Sequence, residues 1–208
     1  MKKLLNLRVT APIFGLALGF ASLTGCSTND SNPTAVLTPS EQVDEAWGLF
    51  QDGDYNGALA EFTAALGRDG TLSDAQNGIG WTLGRMPGRL AEAPVWFSRA
   101  ITSDTTRYDA LGGWAFAIYQ TGDFQGALDK SEALLGRRPG WRFLHEQTLD
   151  QFDIRLMQAS SYYNLGDYTS SYRTVVDHLN PSFEADLTTP AGRRELLDEI
   201  ERLRRVYG

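Results

Sequence analysis

GDYNGALAEF, residues 53–62, decides how this chain is read, because its opening returns as GDFQGAL at 122–128 and as GDYTSSY at 166–172. Ahead of each copy runs a stretch with apolar residues at helical spacing. These are Val43, Ala46, Trp47 and Phe50 before the first, Leu111, Trp114, Ala115 and Ile118 before the second, and Leu156, Ala159 and Tyr163 before the third. A second helical stretch follows each copy. Gly53, Gly122 and Gly166 therefore fall between paired helices, where a left-handed residue costs least as glycine. Each unit is a helical hairpin. A weaker copy, Gly88-Arg89-Leu90, fits between the first and second, which gives spacings of 35, 34 and 44 residues.

A period near 34 residues built from helix, turn and helix resembles the tetratricopeptide repeat, whose signature includes a small residue followed four positions on by an aromatic. Ala58 and Phe62 match this pair, as do Ala93 and Phe97. Ala127 matches, but Ser131 stands in the aromatic position, and Ser171 and Val175 replace both members in the last unit. Pro139 and Pro181 close the third and fourth repeats. The resemblance implies an all-α solenoid of about four hairpins over residues 38–181, divided near 38–71, 72–104, 105–140 and 141–181. Alanine at the crossing lets the two helices of a hairpin approach, and the aromatic fills the space where the next hairpin packs.

Two places depart from the repeat. Pro94 falls one turn into the second helix of unit two, which predicts a late start or a small kink. The 44-residue spacing inserts about ten residues at 141–153, around WRFLHEQTLDQFDI. Trp141, Phe143 and His145 alternate there with other residues, which predicts an extended segment folded over the solenoid. Beyond Pro181, residues 182–208 read as a loop and a capping helix. Thr189-Pro190 marks its start, Leu196, Leu197, Ile200, Leu203 and Tyr207 form one apolar stripe, and Glu195, Asp198, Glu199, Glu201, Arg202, Arg204 and Arg205 occupy its solvated side. A solenoid must hide its last open face, and this helix suits that task.

The first 25 residues differ in kind. Lys2, Lys3 and Arg8 precede the apolar run APIFGLALGFASL, which has the form of a secretion signal and is short for a permanent membrane span. Leu23-Thr24-Gly25-Cys26 resembles the lipobox of bacterial lipoproteins. That resemblance implies lipidation of Cys26, the single cysteine, as the first mature residue, and anchoring by acyl chains. Ser27 after the cysteine implies, by the same resemblance, the outer membrane facing the periplasm, with the inner membrane and the cell surface left open. Residues 26–37 then form a polar tether, and Thr38-Pro39-Ser40-Glu41 reads as the first helix start, with a capping box.

Without residues 1–25 the chain keeps 16 basic against 26 acidic groups, a net charge of −10. An acidic surface argues against nucleic acid as a partner. An enzyme reading finds no phosphate-cradling glycine loop and no metal-ligand spacing in the sequence, so neither enzyme activity nor a cofactor is expected. His145 with Glu146, Asp150 and Asp153 could be drawn as a site, but His145 reads better as a structural hydrogen-bonder. His178 falls near a helix end, where an imidazolium suits the dipole. Asp52 and Asp54 flank a turn as capping or solvated groups.

In the tetratricopeptide family the first helix of each hairpin faces the concave side, and the resemblance places candidate partner-binding residues there. They are Trp47, Phe50 and Gln51, then Asn77, Trp81 and Arg85, then Phe116, Tyr119 and Gln120, and finally Tyr163 and Asn164. Either these rings line a groove for a partner's extended peptide or helix, or they pack between repeats. Arg137-Arg138-Pro139-Gly140-Trp141-Arg142 is a second candidate surface, for an acidic segment or a glycan, or else a solvated loop. The function implied is a membrane-anchored protein-interaction scaffold in the cell envelope. The alternative is a lipoprotein that binds glycan or peptidoglycan fragments on its tryptophans.

Overall fold

The computed structural model describes residues 36–207, so the expected signal sequence, Cys26 and most of the expected tether lie outside the described residues. The described part is an all-α solenoid: α1 (Pro39–Gln51), α2 (Tyr55–Arg68), α3 (Ser73–Arg85), α4 (Ala93–Ser103), α5 (Tyr108–Gln120), α6 (Phe124–Arg137), α7 (Gln151–Asn164), α8 (Tyr168–His178) and α9 (Pro190–Tyr207). The helices pair as α1/α2, α3/α4, α5/α6 and α7/α8, and each second helix packs on the first helix of the next pair. At α1 the capping box forms: Glu41 N donates to Thr38 Oγ1 at 3.2 Å, and Thr38 N donates to Glu41 Oε2 at 2.7 Å.

The recurring phrase has a stereochemical meaning at each letter. Gly53, Gly88, Gly122 and Gly166 all take positive φ, between +76° and +89°, so a side chain there would be strained. The aspartate that follows caps the second helix. Asp54 accepts from Gly57 N at 2.9 Å, Asp123 from Gly126 N at 2.9 Å and Asp167 from Ser170 N at 3.0 Å. The aromatic then closes the turn edge-on: Tyr55 on Phe50 at 5.5 Å, Phe124 on Tyr119 at 5.6 Å, Tyr168 on Tyr163 at 5.1 Å. In the weak copy Arg89 stands in place of aspartate and supplies no side-chain cap, and a 3-10 turn, Leu90–Glu92, precedes α4. Pro94 falls in the first turn of that late-starting helix, where its missing N–H is no loss.

The junctions between hairpins follow a second rule. Phe62 and Phe97 are wholly buried. A Cβ built on Gly78 would lie 2.3 Å from Phe62, and one on Gly113 2.4 Å from Phe97. Each ring thus seats against the bare backbone of the next first helix. At the third junction Ser131 replaces the ring, and Gln158 Nε2 on α7 donates to Ser131 Oγ at 2.9 Å, both side chains buried. The core divides at the same place. One cluster runs from Val43 to Met157, and another joins Leu156, Ala159, Val175 and Leu179 to Leu196, Ile200 and Leu203 of α9.

α9 packs against α7 and α8, with Thr189 Oγ1 capping it from Gly192 N at 3.0 Å. Glu199 and Tyr207 depart from the expectation for its sequence pattern, as do Glu201 and Arg204. Glu199 is buried rather than solvated, because Asn180 Nδ2 and Arg202 both donate to its carboxylate. Tyr207 leaves the buried stripe and stacks at the surface on Phe152, ring centroids 5.5 Å apart. The 44-residue spacing is explained by a non-helical segment that ends at 150 rather than 153, since Asp150 and Asp153 form the capping box of α7. Phe143 N donates to Leu149 O at 2.9 Å, and Arg142 bridges Asp150 in antiparallel register.

Candidate functional site

The first helices α1, α3 and α5 carry the expected groove residues, and the segment 141–149 lies against them. The rings of Phe143 and Trp81 stack, centroids 4.1 Å apart and 17° between planes, and His145 stacks on Trp47 at 3.6 Å and 3°. Phe143 also meets Trp47 and Phe50 edge-on. Glu146 pairs with Arg85, Gln51 Nε2 donates to His145 O at 3.4 Å, and Trp141 Nε1 donates to Asp109 at 2.7 Å. A Cβ on Gly112 would lie 2.8 Å from Trp141, so glycine on α5 makes room for the indole.

This divides the candidate set. Trp47, Phe50, Asn77, Trp81, Arg85 and Phe116 are buried, none above 7% exposed, and most of the surface they were expected to offer is taken up by the protein's own chain. Gln51, Tyr119, Gln120, Tyr163 and Asn164 stay accessible or half-buried. The division is not cost-free: the Asn77 amide and the indole N–H groups of Trp47 and Trp81 are buried and have no hydrogen-bond partner among the described residues. The segment stacks on the two tryptophan rings without bonding to their N–H groups. Phe50, Tyr119 and Tyr163 hold equivalent positions and pack within their own hairpins against the aromatic of the turn phrase, and Phe50 also meets Phe143 of the 141–149 segment.

The tryptophans do not form stacking platforms. Trp47, Trp81 and Trp141 are buried, and the half-buried Trp96 and Trp114 lie under the Arg99 guanidinium at 4.7 Å and the Lys130 ammonium at 4.3 Å. His145 acts as a stacked ring rather than a hydrogen-bonder, and burial pulls its pKa below the usual histidine value. The acidic residues around it are committed elsewhere, Glu146 to Arg85 and Asp150 and Asp153 to the helix cap. No group of three or more His, Cys, Asp or Glu among the described residues is placed to hold a metal. His178 does lie in the last turn of α8, but burial and then Arg155 pull its pKa down, outweighing the attraction expected from the helix end.

The open half of the concave side is a cleft of about 160 Å³ between α5, α7 and α9. Tyr119, Tyr163 and Asn164 line it, and α9 adds Glu201 and Arg204, which the sequence had assigned to a solvated helix face. Arg204 donates to Glu201 at 2.5 Å and to Ser160 Oγ at 2.8 Å, while its Nε is buried without a partner among the described residues. Nothing in the sequence set Arg204 apart from its neighbours Arg202 and Arg205 as the arginine that turns into a cleft.

No protein-family model matches the sequence, and no curated protein matches it. Solved structures do. A tetratricopeptide repeat protein from Parabacteroides merdae superposes with a TM-score of 0.58 at 17% identity, over 82% of this chain and 61% of that one. The MamA protein gives 0.59 at 16% identity, over 82% and 90% of the two chains. An O-GlcNAc transferase from Thermobaculum terrenum gives 0.53 at 14% identity, with 85% of this chain covering 27% of the enzyme. The likeness establishes the fold: an α-solenoid of tetratricopeptide type.

Proposed function

We propose that the protein is a non-enzymatic interaction scaffold, held to a membrane of the bacterial cell envelope by lipid on Cys26, that binds an extended segment of a protein partner along the open half of its concave face. The outer membrane, periplasmic side, is the location that Ser27 after the cysteine favours. The observation that carries the binding reading is the groove's own occupant. On α1 and α3 the inner side holds a non-helical loop of the chain itself by ring stacking and an arginine–carboxylate pair. The cleft at Tyr119, Tyr163 and Asn164 offers the same kinds of side chain, two rings and an amide, with Arg204 held at its edge by Glu201 and Ser160.

Photo-crosslinking in the native cell tests this. A crosslinking residue in place of Tyr163 should yield a discrete protein adduct, and one in place of Arg99 on the α4 surface should not. Equal adducts from both positions, or none from 163 while Cys26 is lipidated, would overturn the reading. Loss of membrane association in Cys26→Ser checks the anchor separately.

A further inference from the structure

Where α5 begins, beside the turn that leaves α6, lies a cavity of about 370 Å³, a size that admits small ligands. Arg107, Tyr108 and Asp109 form one wall, and Arg138, Trp141 and Arg142 the other. Three guanidiniums thus face one carboxylate, on a chain that is acidic as a whole. They are not equally free. Arg107 stands 3.3 Å from Asp74 and 3.6 Å from Asp104, and Arg142 stands 3.7 Å from Asp150. Arg138 has no ion-pair partner among the described residues, and its guanidinium lies over the Tyr108 ring at 4.9 Å, which holds the planar fork in place. Asp109 is turned to the Trp141 indole, whose N–H it accepts at 2.7 Å. The first turn of α5, which has no side-chain cap, adds partial positive charge to the same wall.

We propose that this cavity binds a single carboxylate, carried by a small organic acid or by the acidic side chain of a peptide, with Arg138 as the principal ligand and Arg142 as the second. The pairing favours a monoanion. Arg107 is shared between Asp74 and Asp104 and Arg142 pairs with Asp150, so Arg138 is the guanidinium left for a ligand, and the carboxylates around the cavity, Asp109 among them, repel a dianion such as phosphate more strongly than a monoanion. The fork of Arg138 matches the two oxygens of a carboxylate. The site is separate from the cleft at Tyr163, so either proposal can fail without the other.

The test is calorimetric titration of the full-length protein at low ionic strength with four probes. They are propionate, a blocked tripeptide with a central aspartate, the same peptide with asparagine, and inorganic phosphate. Propionate or the aspartate peptide should bind and the asparagine peptide should not, and which of the two binds better identifies the source of the carboxylate. Arg138→Gln should weaken that binding about tenfold or more. Arg142→Gln should weaken it less, and Arg137→Gln, just outside the cavity, should leave it unchanged, all with unaltered melting temperatures. Binding of phosphate in preference to both carboxylates, no carboxylate binding above a chloride control, or equal losses in Arg138→Gln and Arg137→Gln would overturn the assignment.

Discussion

The first two junctions of the solenoid and the third do the same job with different chemistry. At the first two, a phenylalanine meets a glycine of the next helix, and the groove beside them is filled by Phe143 and its neighbours. At the third, Ser131 meets Gln158, the core changes from one cluster to the next, and the concave side opens into a cleft. An apolar ring against bare backbone is held by burial and close fit, whereas a buried serine–glutamine pair is held by a hydrogen bond whose loss leaves polar groups unsatisfied. The N-terminal part is thus a solid block, and α7 to α9 form a unit attached to it through a polar joint.

Removing the plug is the strongest way to break this contrast. Phe143→Ala deletes a wholly buried ring in contact with Trp47, Phe50 and Trp81 and should destabilise the protein by about 3–5 kcal/mol in denaturant unfolding. A loss below about 1 kcal/mol would mean that the segment is a loosely held occupant and that the N-terminal groove is open to partners after all.

The polar joint is sharpened by a double-mutant cycle. Ser131→Ala leaves the buried Gln158 amide without its acceptor and should cost about 1–3 kcal/mol. Ser131→Ala combined with Gln158→Leu removes both partners and should recover most of that loss. Additive losses would show that the pair is not a coupled joint, and the two halves would then differ in packing alone.

How much of this was legible in the sequence follows from the range of the forces involved. The turn glycines, the Thr38 box and the Ala58/Phe62 spacing act within a few residues, so a linear reading finds them. The alternation of Trp141, Phe143 and His145 indicated a non-helical segment, but the segment doubles back through turns instead of running extended. Where it would lie was not legible, because that depends on Gly112, some thirty positions earlier, lacking a side chain where the indole of Trp141 enters. The same holds for the candidate site. Trp47 and Trp81 were placed on the correct helices and then covered by a part of the chain whose path no local pattern specifies. Ser131, read as a degraded repeat position, is a specific partner for Gln158, which only the fold brings within reach.

The smallest effect separates the plug from the rest of the molecule by its response to acid. Burial lowers the pKa of His145 below its usual 6.5, so the folded protein favours the neutral ring that stacks on Trp47. The unfolded chain then binds the proton more readily, and stability rises with pH across this range. The contribution is complete above 6.5 and is lost as pH falls below 6.5 through the folded value. The charges that reach the ring, Asp74 and Asp44 against Arg107, oppose one another, which leaves burial as the leading cause. His178 is shifted in the same direction, whereas carboxylates such as Glu199 are held down from 4.5 and act only at lower pH. Thermal melts from neutral to mildly acid pH should therefore flatten in His145→Phe, which keeps a flat ring against Trp47 but cannot titrate. His178→Gln, at an exposed helix end, should flatten them less. If the two variants lose the same share of the pH dependence, the plug is no better shielded than the surface of α8, and the solid half of the comparison must be given up.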